Sequence, residues 1–243
     1  MKKFVIASDI HGSHMNVDAC NSLYAFVKDF APQIRVIAGD LWDFAAIRKG
    51  ASEEERSESM AFDFESGAKF ADTYFKGGEE NHLMLGNHDV RVWDMLDSND
   101  AVRQDLAAKM VKDIEYVAKR NSASLVPYDS REGVLSIGDL KVVHGYHTGA
   151  SACAAHSRIY GNVVFGHIHS IESFQTPGLK QQEARSIGCL CNLNPNYANR
   201  KTGKLRWANG WAYGWVFEDG TYQIHQTRAI DGKFHASTDI RAY

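Results

Sequence analysis

The sequence predicts an α/β layered fold, and three observations predict it. Short apolar runs end repeatedly in polar loops. Stripes of apolar residues at helical spacing lie between those runs. The chain of 243 residues is 44% hydrophobic and 23% charged, which is enough to build a core and too apolar for global disorder.

Taken in order, KKFVIAS ends at Asp9, IRVIAG at Asp40 and HLMLG at Asn87. LKVVHG carries His144, and NVVFG ends at His167. Such continuous apolar runs suit strands buried on both faces. Residues 15–31 set Leu23, Phe26, Val27 and Phe30 on one helical stripe. Residues 54–76 do the same with Met60, Phe64, Ala68, Ala71 and Phe75, and residues 101–118 with Val102, Leu106, Met110, Ile114 and Val117. Near the end, YGWVFEDGTYQIHQT has Asp219-Gly220 between two alternating runs, the mark of a β-hairpin. No linker-like stretch divides the chain, so residues 1–243 are expected to form a single domain.

Charge and cysteine usage narrow the setting. A net charge of −3 gives no bulk argument for nucleic acid, so an anionic partner needs a local basic patch. No run approaches the roughly 20 apolar residues of a membrane span. The opening FVIA is too short for the core of a secretory leader. Cys20, Cys153, Cys189 and Cys191 show no CxxC spacing and read as free thiols, so a cytoplasmic setting is expected.

Five segments carry chemistry: Asp9-Ile-His11, Gly39-Asp40-Leu-Trp-Asp43, Gly86-Asn87-His88-Asp89, His144 and Gly166-His167-Ile-His169. Each lies at or near a strand end, where ligands sit in open α/β sheets. Singly, each has a plain reading as a turn, a cap or a core histidine. Together they supply carboxylate oxygen, amide oxygen and imidazole nitrogen, a set that suits manganese, iron, zinc, cobalt or nickel. Seven candidate ligands (Asp9, His11, Asp40, Asn87, His144, His167 and His169) are too many for one ion and about right for two. The glycines before Asp40, Asn87 and His167 let backbone approach closely.

The order DxH, GDxxD, GNHD, H, GHxH resembles the calcineurin-like metallophosphoesterase superfamily, over Asp9 to His169. The resemblance implies a four-layer α/β/β/α sandwich of mixed sheets flanked by helices, ending here in the C-terminal hairpin. It implies two divalent or trivalent ions, with manganese the expected activator in vitro. Asp9, His11, Asp40 and His169 would hold one ion. Asp40, Asn87, His144 and His167 would hold the other, with Asp40 bridging. His88 would face the substrate, Asp89 would orient His88, and Asp43 would steady the loop. The reaction implied is hydrolysis of a phosphate ester by a water that two metals activate, with no protein nucleophile. Arg91, His14 and His147 are further candidates for substrate contact, Arg91 foremost because guanidinium pairs with phosphate.

Residues 170–243 are expected to supply strands and a substrate-selecting loop. Residues 180–206 hold Lys180, Arg185, Arg200, Lys201, Lys204 and Arg206 against the single acid Glu183. Tyr197, Trp207, Trp211, Tyr213 and Trp215 lie within or just beyond. That pairing either grips a base-containing polyanion or is a solvated hairpin whose aromatics pack on the sheet. The expected substrate is therefore a phosphodiester of nucleic acid or a nucleotide. The alternatives are a phosphomonoester, including a phosphoprotein, and a metal-bound module that binds phosphate without catalysis.

Overall fold

The computed structural model describes residues 1–193 and 206–239. Its strands form two mixed sheets. The first has six strands in the order β11-β10-β1-β2-β3-β4. These are β1 Lys2–Ala7, β2 Ile34–Ala38, β3 Glu80–Met84, β4 Ala123–Val126, β10 Gly210–Val216 and β11 Tyr222–Arg228. Strands β1 to β4 run parallel, and β10 joins β1 antiparallel. The second sheet has the order β5-β6-β7-β9-β8. It is built from β5 Leu135–Ile137, β6 Leu140–Val143, β7 Val163–Phe165, β8 Ile171–Thr176 and β9 Gln182–Ile187. Here β6, β7 and β9 are parallel and the outer strands antiparallel.

The alternation of side chains along each strand explains the layers. Phe4, Ile6, Val36 and Met84 point one way and meet Val142, Val164 and Ile187 of the second sheet in a shared core. Val5, Ala7, Ile37 and Leu83 point the other way. They pack on α1 Val17–Phe30, α3 Met60–Tyr74 and α5 Ala101–Arg120. Val143, Val163 and Phe165 face α6 Ala152–Tyr160 through Ala152 and Cys153. The result is the α/β/β/α sandwich. Two short helices, α2 Glu53–Ser57 and α4 Arg91–Asp94, sit in the loops. Among the described residues, no helix is long and apolar enough to cross a membrane.

Two expectations need correction. The helical stretch 54–76 is two helices. Ser52 caps α2 in a reciprocal capping box with Glu55, Glu58 is extended, and Ser59 caps a new start at α3 by accepting from Phe62 N–H. The buried stripe of α5 runs through Ala107, Met110, Ile114 and Val117, while Val102 and Leu106 face solvent. The hairpin forms as expected, with Gly220 at φ 86°, and of the two readings of its aromatics the packed one holds for Trp211, Tyr213 and Trp215. Trp211, Tyr213 and Trp215 are buried against Phe26 and Phe30 of α1. Burial of each contributes about 2–3 kcal/mol.

Candidate metal centre

All six inner parallel strands (β1, β2 and β3, then β6, β7 and β9) end on the same face of the sandwich, and their following loops interlock. Ser8 Oγ donates to Ala38 O, Gly166 N–H to His144 O, and Leu190 N–H to Asp9 O. His167 N–H lies 2.9 and 3.1 Å from the two carboxylate oxygens of Asp9. The approach is close enough to demand glycine. A Cβ on Gly166 would overlap Ser8 Oγ and Asp9 Oδ2, and one on Gly86 would overlap the Asp40 carboxylate.

Backbone strain marks the same place. Asp9, His11, Asp40, His167 and His169 all have φ between 50° and 68°. A left-handed residue with a side chain costs on the order of 1 kcal/mol. Five of the seven candidate ligands adopt this conformation, and it turns their side chains inward.

The polar atoms converge in two adjoining groups. On one side, His169 Nε2 is 3.2 Å from Asp9 Oδ1 and 3.1 Å from His11 Nε2, and His11 Nε2 is 3.9 Å from Asp40 Oδ2. On the other, His144 Nε2 is 3.2 Å from Asp40 Oδ2 and 3.0 Å from Asn87 Oδ1, with His167 completing a cluster of Asp40, His144 and His167. Asp40 belongs to both sides. Asp9, Asp40, His11, His144 and His169 are buried, and Asn87 and His167 are half-buried. Lone pairs and carboxylates pointed at one another in low dielectric fit cations, so the donor set suits a pair of metal ions.

The carboxylates and imidazoles of the site set one another's charge, and a metal ion would take the place of the protons that His144 and His169 hold. Burial works against charge on Asp9 and Asp40, but His169 beside Asp9 and His144 beside Asp40 outweigh it and keep both carboxyls ionised. Burial also works against charge on His144 and His169, yet Asp40 and Asp9 lift them to about 9. His167 is pushed down to about 4, first by burial and then by His144, and stands neutral. His144 Nδ1–H donates to Ala38 O at 2.9 Å, which aims Nε2 at Asp40.

The partner of His88 differs from the one expected. His88 Nδ1–H donates to Asp43 Oδ1 at 2.6 Å, and its Nε2 is 3.9 Å from Asp40 Oδ2. Asp89 lies elsewhere, fully buried. It accepts N–H groups from Gly86 and Trp42, with Leu41 N at 3.4 Å. Burial first, and then Asp40, raise its carboxyl to about 7. Asp43 is the orienting carboxylate instead. Burial opposes its charge, but His11 and His88 hold it far below the ordinary carboxylate range.

Arg91 is also redirected. Its Nη1 donates to Asp43 O at 2.6 Å and lies 3.4 Å from Asp43 Oδ1, so it braces Asp43. His14 Nε2 pairs with Glu58 Oε2 at 2.8 Å and approaches Asp43 Oδ2 at 3.6 Å. His147 is exposed, with its ring against His156. Neither His14 nor His147 joins the metal clusters among the described residues.

Two residues of the site are not among the sequence's candidate site residues. Asp63 of α3 is buried and accepts from Ser13 N–H and Phe44 N–H, with Asp43 N at 3.4 Å, so it ties the first two loops together. Its place among apolar positions of a helix was the available signal. Cys191, in the loop after β9, puts Sγ 3.8 Å from His169 Nδ1. Cys189 and burial raise the Cys191 thiol well above its ordinary value, so it sits against His169, a candidate ligand, as a thiol. Of the basic segment, Arg200, Lys201 and Lys204, with Tyr197, lie outside the described residues. Arg185 pairs with Glu183 at 2.7 Å, and Arg206 lies 3.6 Å from Glu172.

No protein-family model and no curated protein matches the chain. Solved structures do. One is the hypothetical protein PH1004 from Pyrococcus horikoshii, at 10% identity and a TM-score of 0.51, over 93% of this chain and 88% of that one. Another is a Vps29 single mutant from Entamoeba histolytica, at 12% identity and 0.49, over 96% of each chain. A third is an archaeal phosphodiesterase, at 14% identity and 0.47, over 92% and 99%. The likeness to PH1004 shows a shared fold, the α/β/β/α sandwich of two mixed sheets described above.

Proposed function

We propose that the whole chain forms one metal-dependent phosphodiesterase domain, acting on nucleic acid or nucleotides in the cytoplasm. The observation that carries this reading is the convergence of seven donors in two groups sharing Asp40, with the His88–Asp43 pair at their edge. Asp9, His11, Asp40 and His169 would hold one ion, and Asp40, Asn87, His144 and His167 the other. Manganese is the activator expected in vitro. When bound, the ions supply Lewis acidity, polarising the phosphoryl oxygens and making water a usable nucleophile near neutral pH.

The chain's own residues do the rest. With Nδ1 held by Asp43, His88 directs Nε2 toward Asp40 and is the group to protonate the departing oxygen. Asp43 stays ionised and holds the His88 ring through Nδ1. Arg91 fixes Asp43 through its backbone carbonyl. That commitment also bears on substrate. A terminal phosphoryl dianion asks for an unshared cation, and the arginine beside this site is engaged with Asp43. A diester monoanion asks for less, which favours the diester over the monoester.

The test is turnover by the manganese-loaded chain of a nitrophenyl diester against the matching monoester. Faster turnover of the diester is expected. A chain that carries two ions and hydrolyses neither would be a binding module, and the proposal would fail.

A further inference from the structure

Beside the centre, on the His169 side, lies a cleft of about 390 Å³, within the range of small-molecule sites. Ser170, Glu172, Arg206, Trp207 and Arg228 line it with Ile171 and Ala208. Its floor is tied to a candidate metal ligand in three ways. Ser170 follows His169 in the chain, Ala208 N–H donates to His169 O at 2.9 Å, and the Trp207 ring meets the His169 ring edge-on at 4.3 Å. An isolated β-bridge joins Ser170 and Trp207. The cleft and the centre are therefore neighbours on one rigid floor, with the indole between them.

Its charge is positive. Two guanidinium groups meet one carboxylate. Arg206 lies 3.6 Å from Glu172 with its side chain 72% exposed, a long pair that water screens and that leaves the guanidinium able to turn. Arg228, at the end of β11, has no ion-pair partner among the described residues. Charge outside a dinuclear centre has a use when the substrate carries charge beyond the bond that breaks. A mononuclear diester with one phosphate gains nothing from it.

Resting on the phosphodiesterase reading, we propose that this cleft is an anion subsite for a second phosphate of the substrate. The substrate class is then a phosphodiester that carries a neighbouring phosphate, as an oligonucleotide or a nucleoside bisphosphate ester does. Arg206 and Arg228 recognise that group, and the reacting phosphate lies across Trp207 at the metal centre.

The test compares two esters that differ by one phosphate: the nitrophenyl ester of thymidine 5′-phosphate, and the same ester with an added 3′-phosphate. The manganese-loaded chain should show a KM about tenfold lower for the second, as expected for one charge-assisted contact. In the double variant Arg206→Ser/Arg228→Ser that preference should vanish through KM, with kcat and the first ester unchanged. Retained preference in the variant overturns the subsite. So does an equal loss on both esters, since the arginines would then act on the fold or the metals. If the wild type hydrolyses neither ester, the phosphodiesterase reading fails, and binding decides the subsite separately. Calorimetry on the manganese-loaded chain should then still give tighter binding of thymidine 3′,5′-bisphosphate than of thymidine 5′-phosphate. That difference should be lost in the double variant, and its absence in the wild type overturns the proposal.

Discussion

The loops after β1, β2 and β3 carry their own scaffolding, whereas those after β6 and β7 take their seat from the first sheet. In the first half, Asp63 holds the backbone of Ser13 and Phe44, and Asp89 holds that of Gly86 and Trp42. Three loops are thus stitched together by two buried carboxylates. In the second half, His167 N–H rests on Asp9, and His144 Nδ1–H rests on Ala38 O. The difference teaches a direction of dependence. Damage to the first half should spread to both metal positions, and damage to the second should stay local.

The largest effect should come from Asp9→Ala. It removes a candidate ligand and the acceptor of His167 N–H together, so both halves lose metal. Elemental analysis should find fewer ions than in His167→Ala, which should keep one. The loss of affinity should exceed the roughly 100-fold typical of removing an outer partner of a ligand. An Asp9→Ala chain that still holds one ion at wild-type affinity would break the comparison.

Next comes the His88–Asp43 pair, proposed to handle the proton, which sits wholly in the first half. His88→Ala should keep its metal and lose about 10²–10⁴ in rate on a diester with a poor leaving group. Asp43→Asn should show the same pattern to a smaller degree, because it weakens the hydrogen bond that aims the His88 ring. Asp89→Asn should act on stability instead. A rate profile in which Asp89→Asn copies His88→Ala and Asp43→Asn does not would reverse the assignment of the orienting carboxylate.

A third effect is one of stability. Asp63→Ala strips the acceptor from three backbone N–H groups, two of them well bonded and one at 3.4 Å. An unpaired buried donor, as Phe44 N–H would become, costs about 1–3 kcal/mol and the two part-buried ones less, so a loss of roughly 2–3 kcal/mol is expected from denaturant unfolding of the metal-free chain. A loss within about 0.5 kcal/mol would mean that the loops do not need this tie.

These dependences were only partly legible in the sequence. The strands that end in candidate ligands could be read because their apolar runs are continuous. The supporting strand β9 could not, since its buried positions include Ala184 and Ser186, which give little hydrophobic signal. Helix α6 hides for the same reason, burying Ala152, Cys153, His156 and Ser157. Motif residues declare themselves by spacing, but the carboxylates that steady them do not. Asp89 lies next to His88 in sequence and turns away from its ring, while Asp43 comes from another loop to meet it.

The smallest effect sharpens the comparison from the second half. His156 of α6 is buried, stacks on Phe165 at 4.0 Å, and accepts Tyr146 N–H through Nε2 at 3.0 Å. Tyr146 stands two residues after His144, so this imidazole is a brace for the β6 loop, and it works only when neutral. Burial pushes its pKa down to about 4, against an ordinary value of 6.5. Above about pH 6.5 both folded and unfolded chains leave it neutral, and its full contribution is present. As pH falls below that value, the unfolded chain takes a proton that the folded chain refuses, and stability is lost until the folded imidazole titrates near pH 4. Between pH 7 and 5.5 the loss from this group is about 1 kcal/mol. His156→Gln keeps an acceptor for Tyr146 and does not titrate. It should be less stable at pH 7, having lost the stacking, but its stability should fall less steeply over that interval. Parallel curves for the two proteins would show that the brace does not depend on protonation, and that the second half leans on the first sheet alone.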